Sequence, residues 1–166
     1  MRERRAERRE NMLKRKKAIL FWVLLVLWAG VIFFFSAQPD TVSSQQSGLF
    51  TQILEEAVIR ISGSVKEGKA LYAQLDHLVR KSAHFMVYFI LGALAQRACW
   101  HSAKQKRPMR VLAVAVAACA LYAVSDEIHQ YFVPGRSMMI SDMLLDSVGA
   151  LCGAGAATFF LKVGRK

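Results

Sequence analysis

An all-α membrane protein of about four transmembrane helices, with an outer amphipathic helical segment, is predicted by three features of this 166-residue sequence. Hydrophobic residues make up 54% of it, at a mean hydropathy of +0.26. Only 21% of residues are charged, and these sit in clusters between long uncharged runs. The clusters are strongly basic, for a formal net charge of +11. A soluble domain of this size is rarely so apolar and so basic at once, and the segregation of charge favours a membrane protein over a nucleic-acid binder.

The first span is an unbroken run of uncharged residues over 18–35 that contains Trp22 and Trp28. About 20 such residues cross the hydrocarbon core. A secretory signal peptide is the alternative, because a basic head precedes the run. A signal core is about 7–15 residues, however, so an uncleaved anchor is expected. The predicted spans are 18–37, 83–99, 111–132 and 141–161, following a basic segment over 1–17; together 18–166 form one membrane domain. The third and fourth spans are long enough only if the acidic residues near their ends lie within them.

Lys and Arg near the span ends set the orientation. The head, the connection between spans two and three and the C-terminal tail hold 17 Lys and Arg against three acids, Glu3, Glu7 and Glu10. The opposite side holds six basic and nine acidic residues. This split of +14 against −3 predicts cytoplasmic N- and C-termini. Topology and contact with anionic membrane lipids account for the basic tails, so no nucleic-acid partner is expected.

Between spans one and two, Leu49, Phe50, Ile53, Leu54, Ala57, Val58 and Ile61 recur at helical spacing, which reads as an outer amphipathic helix ending near Gly63. Leu71, Tyr72, Leu75, Leu78 and Val79 carry a similar stripe into the second span. Cys99, Cys119 and Cys152 fall inside apolar runs without a CxxC motif and are read as packing residues.

Ionisable residues interrupt three of the four spans. Lys81, His84 and Tyr88 share one face of the second, with Gly92 and Ala95 continuing it. The third ends in Ser125-Asp126-Glu127-Ile128-His129-Gln130, and Pro134-Gly135-Arg136-Ser137 leads to the fourth, which carries Asp142 and Asp146. Gly149 and Gly153 extend that last face at a spacing that permits close helix approach, within the chain or in a homo-oligomer. Asp126 lies 16 residues beyond Arg110, and Asp146 lies 16 residues before Lys162. At about 1.5 Å per residue both sit roughly 24 Å from the inner surface of a core about 30 Å thick. His84 comes out at roughly 20 Å by the same rise. Isolated charges at such depths are costly, so one shared polar site in the outer leaflet is expected. The bland alternative is a structural ion-pair network of Lys81, His84 and Arg136 with Asp126, Glu127, Asp142 and Asp146. His129 and His77 are read as interfacial.

The Lys81-x-x-His84-x-x-x-Tyr88 and Ser125-Asp126-Glu127-x-x-Gln130 blocks resemble the VanZ-like family. So do Phe132-Val133-Pro134-Gly135-Arg136, Asp142, the segment Gly149 to Gly153 and the Phe35-Ser36-Ala37-Gln38-Pro39 end of the first span. The resemblance runs from the first span onward. It implies a bacterial cell-membrane protein, the family being named for a teicoplanin-resistance accessory protein, but no settled reaction. It points to Lys81, His84, Tyr88, Asp126, Glu127, Gln130, Arg136 and Asp142. At Asp146 an Asn is as readily expected, so that residue stands outside the set.

Two classes of function fit. A membrane enzyme acting on a lipid-linked or cell-wall substrate would use His84 or Glu127 as general acid/base, with Asp126 beside them. Lys81 and Arg136 would hold a phosphate or carboxylate, and Tyr88, Gln130 and Asp142 would complete the substrate site. Asp126, Glu127, His129 and Asp142 offer oxygen-rich ligands for a divalent cation, but their spacing is no metal signature, so no metal is assigned and the cofactor is unknown. Ser125 and Ser82 lack the surroundings of a nucleophile. The other class is a non-enzymatic ligand-binding or small transporter-like membrane protein, which would use the same charged pocket without a chemical step.

Overall fold

Long apolar runs without internal proline become long helices. The computed structural model describes residues 2–39, 53, 56–57, 59–60, 65–103 and 107–163. Four long helices account for nearly all of these: α1 (Arg2–Ser36), α2 (Val65–Ser102), α3 (Pro108–Tyr131) and α4 (Ile140–Val163). No strand occurs among the described residues. Each helix holds a segment long and apolar enough to cross a membrane: Glu7–Ser36, Leu78–Ser102, Pro108–Tyr131 and Ile140–Leu161. The acidic ends of spans three and four therefore do lie inside helices.

Two helices outrun their predicted spans. α1 extends back through the basic head, because Arg, Lys, Glu and Ala are strong helix formers and no Gly or Pro interrupts them before Gly30. α2 starts well before residue 83, so the second outer stripe and the second span are one helix. Of the predicted outer amphipathic helix, residues 53, 56–57 and 59–60 are helical, and the remainder lies outside the described residues.

Local chemistry sets the boundaries of α3. Pro108 opens it from an extended Arg107, at a position where the missing N–H is no loss. Its far end closes with the Phe132 N–H on the His129 carbonyl at 3.0 Å and the Val133 N–H on Gln130 at 2.9 Å. The chain then turns through Gly135, whose φ of 79° lies in the left-handed region open to glycine at little cost.

Small residues decide which helices touch. α2 and α4 share the largest interface of the bundle. A Cβ added to Gly149 would stand 2.6 Å from the Phe85 carbonyl oxygen; one at Gly92 or Gly153 would fall on the Ala150 or Phe89 carbonyl. The two backbones thus pack directly, so the Gly149-x-x-x-Gly153 spacing serves a contact within the chain. On α3 the buried stripe runs Val111, Ala115, Cys119, Ala123, then Asp126, Glu127 and Gln130. The face that packs the helix thus turns polar at one end. Large side chains such as Val114, Leu121, Leu144 and Phe159 point outward.

α1 lies at the edge of the bundle, packing mainly on α2. Two side-chain bonds to backbone carbonyls pin it: Trp28 Nε1 donates to Val87 at 2.8 Å, and the Tyr122 hydroxyl donates to Ala29 at 2.7 Å. Both lie in the half of α1 nearer the α3–α4 turn, where the polar residues gather.

Candidate functional site

At the end of the bundle that carries the α3–α4 turn, three helices and the turn bring their polar residues to one level. Glu127 leaves the buried face of α3 and meets the N-terminus of α4, where its Oε2 accepts the Met139 N–H at 3.0 Å. The first N–H groups of a helix lack internal partners and carry partial positive charge, so a carboxylate is favoured there. The other oxygen, Oε1, is buried without a hydrogen-bond partner, and the residue is 0% exposed.

Asp146, one turn into α4, is also 0% exposed. Its Oδ1 lies 3.5 Å from His84 Nδ1 on α2. One donor atom from each of His84, Glu127 and Asp146 lies within 4.8 Å of the other two. Asp126 occupies the neighbouring buried position of α3, where the Gln130 amide donates to Oδ2 at 3.2 Å. The Tyr88 phenol and the Ser36 hydroxyl also sit beside the Asp126 carboxyl. Tyr88 is wholly buried, with its ring 6.3 Å from that of Tyr122.

A second polar layer lies one turn nearer the end of the bundle. Lys81 on α2 pairs with Asp142 in the first turn of α4, and Ser141 Oγ donates to the same carboxylate at 3.2 Å. Arg136, on the turn, donates from Nη2 to the Phe35 carbonyl at 3.3 Å. That carbonyl belongs to the last turn of α1, where a cation suits the negative end of the helix.

Beside these layers opens a cavity of about 620 Å³. Its wall on α1 is largely apolar: Trp28, Val31, Ile32 and Phe35, ending in Ser36. The other helices and the turn contribute the polar residues, Lys81, His84 and Tyr88 from α2, Asp126 and Gln130 from α3, Arg136 from the turn and Asp142 from α4, set among apolar Val79, Ala83, Val87 and Met139. Seven of the eight residues singled out by sequence thus line one space. Glu127, the eighth, lies behind it against Met139.

Two contacts of the expected ion-pair network occur among the described residues. Lys81 pairs with Asp142 and His84 Nδ1 lies 3.5 Å from Asp146; Arg136 also meets a backbone carbonyl, and Glu127 a backbone amide. His129 stacks on Phe33 with centroids 4.5 Å apart and does not line the cavity. Ser125 bonds the Tyr122 carbonyl at 2.7 Å, and Ser82 is exposed. The His77 side chain lies outside the described residues.

The structure adds Asp146, Ser36 and the α1 wall to the residues that the sequence singles out. A signal for Asp146 existed, since its depth matched that of Asp126 and it sits one turn from Asp142. Nothing in the sequence placed α1 against the polar faces, because its apolar residues are spread around the helix.

Residues 21–161 match the family model described as VanZ/LLP1. No curated protein and no solved structure matches the chain. The matched region covers most of the sequence, so the chain belongs to the VanZ/LLP1 family and is a multi-pass membrane protein.

Proposed function

We propose that this VanZ/LLP1 family member binds or modifies an amphiphilic component of the bacterial cell envelope, a lipid or lipid-linked cell-wall component, at the outer leaflet of the cell membrane. The observation that carries this reading is the two-faced cavity, with Trp28, Val31, Ile32 and Phe35 opposite Lys81, His84, Asp126, Gln130 and Arg136. An acyl or prenyl chain suits the first wall, and an anionic headgroup suits the cations and donors of the second. At about 620 Å³ the space is of the size that holds a small ligand. The outer-leaflet assignment rests on the +14 against −3 charge split and the depth of Asp126 and Asp146 along their helices. The contribution to teicoplanin resistance rests on the family resemblance.

Mass analysis of envelope lipids from cells with and without the chain tests the reading. A product that appears with the wild type and disappears with His84→Asn would establish modification. Unchanged lipids, together with lowered teicoplanin susceptibility that Arg136→Ala abolishes, would establish binding without chemistry. Unchanged lipids and unchanged susceptibility would overturn the proposal.

A further inference from the structure

We infer that His84, Glu127 and Asp146 form a binding site for one divalent transition-metal cation, of the Mn²⁺ or Zn²⁺ type. Each residue comes from a different helix, so no local spacing in the sequence could announce the set. One donor atom from each lies within 4.8 Å of the other two, and the His84 Nδ1–Asp146 Oδ1 separation is 3.5 Å. Two ligand bonds of about 2.1 Å hold their donor atoms at most about 4.2 Å apart. His84 and Asp146 already satisfy that limit, and a Glu127 oxygen lies within 4.8 Å of both.

The unpartnered atoms favour a bound cation. Glu127 and Asp146 are both 0% exposed, yet Glu127 Oε1 and both Asp146 carboxylate oxygens lack a hydrogen-bond partner among the described residues. Buried acceptors are ordinarily satisfied, and two carboxylates cannot both be satisfied by one imidazole. The Lys81 ammonium is engaged by Asp142, one turn from Asp146. A dication neutralises both carboxylates at once. It also explains the split role of Glu127, with one oxygen fixed by the Met139 N–H and the other left for a metal.

The donor set selects the class of metal. Carboxylates suit Mg²⁺, Ca²⁺ and Mn²⁺, whereas imidazole suits Zn²⁺ and later transition metals, so a mixed set of one nitrogen and two oxygens favours Mn²⁺ or Zn²⁺. Three protein ligands leave coordination positions open, and His84 lines the cavity from which a ligand oxygen could reach them. The metal proposal does not depend on the identity of that ligand.

Full-length chain purified in detergent, stripped with a chelator and titrated with MnCl₂ or ZnCl₂ provides the test. Calorimetry should show saturable uptake of one ion per chain. Glu127→Gln and Asp146→Asn should each weaken it at least tenfold, while Ser125→Ala leaves it unchanged. Pulsed electron paramagnetic resonance of the Mn²⁺-loaded wild type should show coupling to one imidazole nitrogen, which decides the matter even if a variant fails to fold. No saturable uptake, a Mn²⁺ signal without nitrogen coupling, or undiminished binding by both carboxylate variants would overturn the inference. Because lipid is not read, failure here leaves the envelope-ligand proposal standing, and the reverse also holds.

Discussion

Asp142 and Lys81 hold the outer layer of the polar cluster by pairing across two helices. With side-chain exposures of 16% and 24%, the pair lies between the surface and buried cases. Lys81→Ala and Asp142→Ala should each cost about 1–3 kcal/mol, measured by thermal or chemical unfolding in detergent. The double substitution should cost less than the sum, because neither partner is then left unpaired; strict additivity would show that the two are not coupled. Asp142 was recognisable from its neighbours in sequence, as were Lys81 and His84 from their shared helical face. Asp146 was harder to weigh, because its burial and its contact with His84 arise only when α2 and α4 meet. Sequence points to Glu127 as an acid/base group, and the structure adds that one of its oxygens caps the α4 N-terminus. That contact joins residues twelve apart across a turn and leaves no trace in helical periodicity.

The elements were legible to the extent that each carried its own instruction. Four apolar runs became four helices, Pro108 opened α3, and Pro134-Gly135 broke the chain between α3 and α4. The small-residue face of α4 was visible as Gly149 and Gly153, but spacing alone could not say which helix it receives. The structure gives α2, at the Phe85 and Phe89 carbonyls. Gly153→Leu should therefore separate α2 from α4 and cost at least about 3 kcal/mol by the same unfolding measurement, since backbone cannot yield as a side chain does. Gly155, which has open space around its Cβ position, should accept Ala with no loss. Equal effects at the two sites would contradict the seam. At the turn, Gly135→Ala should cost roughly 1–2 kcal/mol from its left-handed φ. The same change would shift Arg136 from the Phe35 carbonyl.

At the scale of the whole molecule, three helices and the turn supply nearly all the polar lining of the cavity, and α1 supplies a largely apolar wall. The wall contributed by α1 was not legible, because it depends on how an edge helix is pinned by Trp28 and Tyr122 rather than on any pattern within α1. The basic clusters make a separate prediction about orientation. In a chain lacking Cys99, Cys119 and Cys152, a cysteine at Ser137 should react with an impermeant reagent outside the cell, and one at Lys104 should not. The converse labelling would invert the topology and move the site to the cytoplasmic leaflet. The central claim is that these residues form one site for an amphiphile. Native mass spectrometry of the detergent-purified chain tests it most directly. The wild type should carry one lipid-mass adduct per chain, lost or strongly reduced in Arg136→Ala and retained in Ser125→Ala; an adduct-free wild type, or equal retention in all three, would contradict the account.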